Sequence, residues 1–112
     1  QMLDILIALG FSKLVKNVYE DKQVLAFYHP KPTYKLHILI VPKHKIISLD
    51  KAKETDLEII LHIIKTAKML IQDLKIKDYR LITNGGIYQK FKYLHFHLVS
   101  DDYTSTSGVE VT

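Results

Sequence analysis

Two histidines stand at alternating positions in a short stretch near the C-terminal end of the chain, Tyr93–Ser100. Side chains alternate across a β-strand, so a strand here would present His95 and His97 on one face, together with Tyr93. Imidazole changes its protonation state near neutral pH and can act as nucleophile, base or acid. The other face of the strand would be apolar, through Leu94, Phe96 and Leu98. The pattern predicts a chemical site carried on a rigid strand.

The composition is that of a folded domain rather than a disordered chain. Of the 112 residues, 47% are hydrophobic and 25% are charged, which is ordinary for a globular protein. This length suits one domain, which we assign to residues 1–112. The net charge of +4 mildly favours anionic partners such as nucleotides. The chain has no cysteine, which excludes disulfides, thiolate zinc sites and a cysteine nucleophile.

No stretch of the chain approaches the apolar length needed to cross a bilayer. The apolar run Leu3–Leu9 is too short, and Asp4 stands where a signal peptide would carry positive charge. We therefore expect a cytoplasmic protein without a membrane segment.

The first half of the chain predicts three strands. Lys16–Glu20 and Val24–Tyr28 are apolar runs separated by a short polar segment, which is typical of a β-hairpin. His29–Thr33 contains two prolines and predicts a loop, because proline cannot donate to a central ladder. Leu36–Val41 is an apolar run interrupted only by His37, and it predicts a buried strand.

Glu54–Leu74 has the spacing of a long amphipathic helix. Thr55 and Glu58 fit a capping box, which predicts Thr55 as the N-cap. Apolar residues recur at steps of three and four: Leu57, Ile60, Leu61, Ile64, Ala67, Ile71 and Leu74. Four more widen the apolar surface: Ile59, Ile63, Met69 and Leu70. Such a wide surface is explained either by a helix deep in the fold or by a homodimer interface.

The remaining segments complete the predicted fold. Tyr79–Thr83 is a fourth strand, Asn84–Gly86 is a loop able to take positive φ, and the motif strand runs from about Phe91 to Val99. Met2–Leu9 has the pattern of a short N-terminal helix. Together these elements predict an α+β domain with an antiparallel sheet of about five strands, covered by one long helix.

The residues around the two histidines resemble the histidine-triad (HIT) family, whose motif is His-φ-His-φ-His-φ-φ with φ apolar. His95 and His97 match the second and third histidines, whereas Tyr93 stands at the first. The resemblance extends from the opening hairpin through His37 and its strand, and Gln89 precedes the motif as in many members. It is closest to the Hint-like nucleoside phosphoramidase branch.

The resemblance implies nucleotidyl chemistry without a cofactor or a catalytic metal. The family's nucleophile maps to His95, which would attack the α-phosphorus of a nucleoside phosphoramidate or dinucleotide. Water would then cleave the nucleotidyl-histidine and release a nucleoside monophosphate. His97 would donate to a phosphoryl oxygen or the leaving group, and His37 would support it from the adjacent strand. A purine nucleotide is the expected ligand and a homodimer the expected assembly.

Five positions are candidates for substrate binding. Gln89 matches the family, and Asn84 belongs to a glycine-containing loop whose amides could approach phosphate. Lys90 replaces a small hydroxyl residue of the family and could favour a longer polyphosphate. His29 replaces an aspartate that holds the ribose, and its neutral ring has one acceptor nitrogen instead of two oxygens. Tyr93 can hydrogen-bond but cannot carry a positive charge at neutral pH.

These departures leave a second interpretation open, a module that binds a nucleotide without turnover. A third is a zinc site built on the His-x-His pair, for which His37 or His29 would have to be the third ligand. No supporting carboxylate is evident, so we expect no metal. A nucleic-acid partner is not expected, because no stripe of basic and aromatic residues accompanies a recognised motif. His62 and His44 are expected on the surface without a role.

Overall fold

The computed structural model describes residues 15–104 of the chain. The strands in this range are β1 Lys16–Glu20, β2 Val24–Tyr28, β3 Leu36–Pro42, β4 Arg80–Ile82 and β5 Phe96–Ser100. They form one antiparallel sheet in the spatial order β1-β2-β3-β5-β4. A helix, α1 Leu57–Asp73, follows a 3-10 turn at Glu54–Asp56. The predicted α+β class and the antiparallel sheet with one long helix are confirmed.

Strand β3 forms the centre of the sheet because every one of its seven residues is buried. It pairs with β2 on one side and β5 on the other. A continuous run of aliphatic residues suits a strand that is covered on both faces. The bounds of β1 and β2 are those predicted from the sequence, and β3 extends the predicted strand by Pro42.

The two faces of the sheet carry different residues. One face packs against α1 through a large cluster that includes Ile38, Ile40, Phe96 and Leu98. The opposite face carries a smaller buried cluster: Leu25, Phe27, Leu39 and Val41. Leu39 is the antiparallel partner of His97, and directly opposed residues project from the same face. The imidazole of His97 therefore belongs to the face opposite α1.

The helix α1 docks on the sheet through a narrower stripe than its apolar composition predicts. Its buried residues are Ile60, Ile63, Thr66, Ala67 and Leu70. Leu57, Leu61 and Ile64 belong to the predicted apolar repeat, and they are 48%, 52% and 47% exposed. The sequence left this open, because a helix that is apolar around most of its circumference does not specify which stripe the sheet covers.

The start of α1 differs from the predicted capping box. Thr55 lies in the 3-10 turn, and the residue before α1 is Asp56. The reciprocal bonds are made two residues earlier than predicted: Lys53 N–H donates to the Asp56 carboxylate at 2.8 Å, and Asp56 N–H donates to the Lys53 carbonyl at 2.9 Å. Asp56 is buried and replaces Thr55 as the group that closes this turn.

The segment before β5 is not the long strand that the alternation predicts. β5 begins at Phe96, five residues after the predicted start, and β4 keeps only Arg80–Ile82. A 3-10 turn at Gly86–Tyr88 intervenes, and the Leu94 N–H donates to the Ile46 carbonyl at 2.7 Å. This backbone bond ties the motif segment to a loop instead of to a neighbouring strand.

Gly86 has a φ of 58°, in the left-handed region that favours glycine, as expected for the Asn84–Gly86 loop. The predicted helix Met2–Leu9 lies outside the described residues, and a single domain over residues 1–112 stays a prediction. No helix within residues 15–104 is long and apolar enough to cross a membrane.

Candidate active site

His37 and His97 meet on the sheet face opposite α1. His37 lies two residues before Leu39, the partner of His97, so the two imidazoles are diagonal neighbours on adjacent strands. The His37 Nε2 and the His97 Nδ1 are 2.9 Å apart. One hydrogen bond therefore joins two strands that are separated by 60 positions in the chain.

The backbone decides the direction of this hydrogen bond. The N–H of Thr33 lies 3.3 Å from the His37 Nδ1, which must therefore accept. A neutral imidazole has one donor and one acceptor nitrogen, so the His37 proton is on Nε2 and is donated to the His97 Nδ1. By the same rule His97 carries its proton on Nε2. His97 can thus donate to a substrate oxygen that comes within hydrogen-bond distance of its Nε2.

His95 is held in the complementary tautomer. Its Nδ1 lies 2.8 Å from the carbonyl oxygen of Tyr93, which can only accept, so Nδ1 carries the proton. The His95 Nε2 then has a lone pair available for attack. The Thr83 hydroxyl donates to the His95 carbonyl at 2.9 Å and fixes the backbone. The rings of His95 and His97 are 5.1 Å apart, so a nucleophile and a donor stand side by side.

His29 extends the cluster on the other side of His37. Their ring centroids are 4.4 Å apart, and the ring of Tyr34 meets His37 edge-on at 5.4 Å. The N–H of Lys31 donates to the His29 Nδ1 at 3.0 Å. The proline-containing loop thus brings a fourth imidazole to the site.

Burial keeps these imidazoles uncharged. It lowers the pKa of His95 below its usual value of 6.5, and the hydrogen bond to Tyr93 opposes this only in part. The pKa of His97 is lowered to about 4 by burial and by the charges that His95 and His29 would carry. Burial and the charges of His29 and His97 lower the pKa of His37 to about 3. At neutral pH the site is a set of neutral rings with defined donors and acceptors.

Known proteins that resemble this chain show the family to which it belongs. A family model described as "Scavenger mRNA decapping enzyme C-term binding" matches residues 7–111. A HIT-like protein of Synechocystis is 34% identical over 98 residues, which cover 80% of this chain and 86% of the relative. A 14 kDa zinc-binding protein of Zea mays is 36% identical over 100 residues, covering 80% of this chain and 78% of the relative. The chain belongs to the histidine-triad (HIT) family.

Solved structures agree with this assignment. The crystal structure of a HIT family hydrolase from Legionella pneumophila is similar with a TM-score of 0.77 and 31% identity, and the match covers 96% of this chain and 98% of that chain. A histidine triad protein from Clostridium difficile gives a TM-score of 0.76 at 31% identity, covering 89% of this chain and 90% of that chain. The fold is that of HIT family hydrolases.

Tyr93, a predicted substrate-binding residue, contacts His95 through its backbone in this HIT protein. Its carbonyl orients His95, as described above, while its ring lies near two cations, with the Lys45 Nζ 5.6 Å and the Lys92 Nζ 5.5 Å from the ring centre. Position 93 therefore acts on His95 through its backbone.

Gln89 holds the loop that precedes the motif. Its Nε2 lies within hydrogen-bond distance of the carbonyl oxygens of Ile47 at 2.8 Å and Phe91 at 3.0 Å. The side chain thus joins two loops beside His95, in addition to any substrate contact. The ring of Phe91, 6.1 Å from that of His95, forms part of the same wall.

Asn84 and Lys90 border two neighbouring cavities. Asn84 lines a cavity of about 390 Å³ together with Thr83, whose hydroxyl bonds the His95 backbone. Lys90 is exposed and lines a larger cavity of about 650 Å³ that Phe91 also borders. All eight predicted site residues thus lie around the imidazole cluster or in the loops next to it.

Two positioning residues could not be recognised from the sequence. Thr33 sets the tautomer of His37 through its backbone N–H, a role that any residue except proline could perform. Thr83 contacts the backbone of His95 through its hydroxyl, and no sequence motif marks this residue. The sequence indicated them only by position: Thr83 ends a predicted strand, and Thr33 stands shortly before another.

The other histidines have structural contacts. His62 was expected to be a plain surface residue, but its Nε2 lies 2.6 Å from the Asp21 carboxylate, to which the Tyr19 hydroxyl also donates at 2.7 Å. His44 is exposed as expected and lies 3.5 Å from Asp56. Within residues 15–104, no group of three or more histidine, aspartate or glutamate side chains is arranged to hold a metal ion.

Proposed function

We propose that this HIT protein hydrolyses the bond between the α-phosphorus of a nucleotide and its leaving group, in a nucleoside phosphoramidate or a dinucleotide, through a nucleotidyl-His95 intermediate. The substrate is a purine nucleotide. The observation that carries the proposal is the pair of opposite tautomers, a bare Nε2 on His95 beside a protonated Nε2 on His97. The hydrolase title of the Legionella pneumophila relative agrees with this class of reaction.

The geometry supports a reaction in two displacements. The His95 Nε2 attacks the α-phosphorus, the new N–P bond forms, and the leaving group departs with the electron pair of the broken bond; an amine then takes its proton from solvent. The His97 N–H donates to a phosphoryl oxygen as negative charge develops there. Water next attacks the phosphorus, the N–P bond breaks, and the nucleoside monophosphate and a solvent proton are released.

His37 supports His97 by orientation rather than by protonation. Since the pKa values of His37 and His97 are lowered to about 3 and about 4, neither ring carries a charge at neutral pH. The hydrogen bond from His37 keeps the His97 proton on Nε2, where the phosphoryl group would lie. Such preorganised donors stabilise a transition state without reorganisation during the reaction.

A homodimer is part of the proposal. Leu57, Leu61 and Ile64 recur at steps of four and three residues along α1, and each is about half exposed. This forms an apolar stripe on the side of the helix that the sheet does not cover. A second copy of the chain would bury it, and sedimentation of the purified protein tests the assembly.

The covalent intermediate is the decisive test. We expect intact-protein mass spectrometry, after brief mixing with adenosine 5′-phosphoramidate, to show a transient adduct of one AMP. The adduct and AMP release disappear in His95→Ala, because that variant lacks the nucleophile. His44→Ala, which removes an exposed histidine, keeps both. Equal AMP release by His95→Ala and the unchanged protein would refute the proposal.

The environment of Tyr93 favours a second candidate, a module that binds a nucleotide without turnover. The first imidazole of the family motif is replaced by a phenol ring whose centre is 5.6 Å from the Lys45 Nζ and 5.5 Å from the Lys92 Nζ. If this candidate is correct, calorimetry will show saturable nucleotide binding, and no AMP will form during long incubation. Release of AMP that depends on His95 excludes it.

A further inference from the structure

The peptide group between Tyr93 and Leu94 is held at both of its polar atoms. Its carbonyl oxygen lies 2.8 Å from the Nδ1 of His95 and keeps the proton on that nitrogen. Its N–H donates to the carbonyl of Ile46 at 2.7 Å. A rotation of this peptide group would break both hydrogen bonds together. The tautomer of His95 therefore depends on the orientation of one peptide group, which lies just before β5 and outside the strand.

The two side chains next to this peptide group are anchored in different ways. Leu94 is 2% exposed and belongs to the same buried cluster as Ile46. Tyr93 is half-buried, and its ring centre is 5.6 Å from the Lys45 Nζ and 5.5 Å from the Lys92 Nζ. An ammonium group within about 6 Å of a ring centre is attracted by the negative face of the ring. The hydrophobic core thus fixes one side chain, and two lysines hold the other.

The two lysines belong to segments that make hydrogen bonds of their own. Lys45 directly precedes Ile46, so its contact with the ring lies beside the backbone bond that Ile46 accepts. Lys92 directly precedes Tyr93, and its carbonyl oxygen lies 3.4 Å from the Nε2 of Gln89. The cations that attract the ring are therefore attached to backbone that is itself held in place.

We propose that Tyr93 is a positioning residue, whose ring is held by the two lysines and in turn orients the carbonyl that keeps the His95 Nε2 bare. The inference rests on the proposed function, which makes that nitrogen the attacking atom. Without an ordered carbonyl at Nδ1, the proton can move to Nε2, and the ring then has no lone pair for phosphorus at that position. The contact with the lysines requires only an aromatic ring, so a phenol at position 93 is compatible with an active site.

Hydrogen exchange of the Leu94 amide measures this positioning without any substrate. The amide exchanges only when its bond to Ile46 opens, so its exchange rate reports the opening of that peptide group. Replacing Lys45 and Lys92 by glutamine speeds exchange about five- to thirtyfold, the change that corresponds to two exposed cation–π contacts. An exchange rate equal to that of the unchanged protein would overturn the inference.

Matched variants control for charge. Lys51 and Lys90 lie in the same two loops, and within residues 15–104 neither is among the lysines placed over a tyrosine ring. Their replacement by glutamine removes the same charge, and we expect the Leu94 exchange rate to stay within about twofold. Replacing Lys45 and Lys92 by arginine keeps both cations, and arginine also binds aromatic faces, so exchange stays slow.

A double-mutant cycle shows whether the lysines act through the ring. Tyr93→Leu removes the ring, so the further replacement of both lysines by glutamine changes the Leu94 exchange rate by less than about twofold. Tyr93→Phe keeps the ring, and the full effect of replacing the lysines remains. An equal effect of the lysine replacement in the Tyr93, Phe and Leu backgrounds would show that the lysines act elsewhere, and it would overturn the inference.

The ring of His95 distinguishes a positioning role from a merely structural one. In the unchanged protein, the nitrogen-15 NMR shifts identify Nδ1 as the protonated nitrogen, and in the variant with glutamine at positions 45 and 92 they move toward those of the other tautomer. For this variant kcat falls while KM changes little, because fewer molecules carry the attacking tautomer. Faster exchange of the Leu94 amide with unchanged His95 shifts would confine the effect to the backbone and overturn the inference.

The two proposals fail separately. If the unchanged protein forms no AMP, the proposed function fails, whereas amide exchange and the nitrogen-15 shifts still test the positioning of His95. If AMP forms and replacement of the two lysines changes neither of these readouts, only the inference about Tyr93 is overturned.

Discussion

Two regions meet at His95, and they differ in burial, in charge and in the contacts that their side chains make. The imidazole cluster of His29, His37, His95 and His97 is largely buried and uncharged at neutral pH, and two backbone contacts set its tautomers. The cavity of about 650 Å³ that Lys51, Lys90 and Lys92 line is open and charged. Under the proposed function, bond making and the attraction of anions are carried out by different elements of the fold.

Solvation explains why the two regions are separate. A lysine within the imidazole cluster would lose its hydration, and a buried unpaired charge is costly. At the open cavity, ammonium groups remain hydrated and still act on an anion over several ångströms. The rings, in contrast, act only at contact distance and depend on the correct tautomer.

Single substitutions are expected to give the largest difference in kcat/KM between the two regions. His97→Ala lowers kcat/KM about 10²- to 10⁴-fold, because the donor to the phosphoryl oxygen is lost. Lys51→Gln lowers it about two- to fivefold for an oligophosphate substrate, as expected for an exposed charge. Steady-state kinetics measure both, and thermal unfolding shows whether each variant is folded. Comparable losses from the two variants would break the comparison.

The pH dependence sharpens the same contrast. Burial places the pKa of His95 below 6.5, so the ring is deprotonated and nucleophilic at and above that pH. We expect kcat/KM to be flat at and above neutral pH until lysine titrates, and to fall about tenfold per pH unit below the His95 pKa. An acid limb with its midpoint above pH 6.5 would contradict the burial argument.

Ionic strength gives the smallest effect and acts on the other region. Raising it from about 0.05 M to about 0.5 M lowers kcat/KM for diadenosine tetraphosphate about three- to tenfold, because the lysine charges are screened. The value for an amine phosphoramidate changes by less than about twofold, since neutral imidazoles provide the chemistry. Equal salt dependence of both substrates would show that the lysines attract the nucleotide as a whole.

The strands of the hairpin were predictable because their signal is local. β1 and β2 have the predicted bounds, as apolar runs and a polar turn are properties of neighbouring residues. Helix α1, Leu57–Asp73, lies within the predicted range Glu54–Leu74 but is shorter, and its buried stripe was not predicted. Leu61 and Ile63 are equally apolar, and only the position of the sheet decides that one is half exposed and the other buried.

The sequence indicated which residues lie near one another at the site, but not the hydrogen bonds that orient them. The alternation around His95 and His97 predicts one long strand, yet His95 lies just outside β5. Its orientation comes from the Tyr93 carbonyl, and that of His37 from the Thr33 amide. Backbone groups are the same at every position except proline, so the sequence contains no signal for these contacts.

Residue types and their spacing already determined the family resemblance, the order of the strands along the chain, and the choice of the histidines and Lys90 as candidate site residues. These properties follow from local patterns of side chains. The tertiary structure alone decided the tautomers, the lowered pKa values and the cavity between two loops. Each of these depends on burial and on contacts between segments far apart in the chain, which arise only when the sheet is assembled.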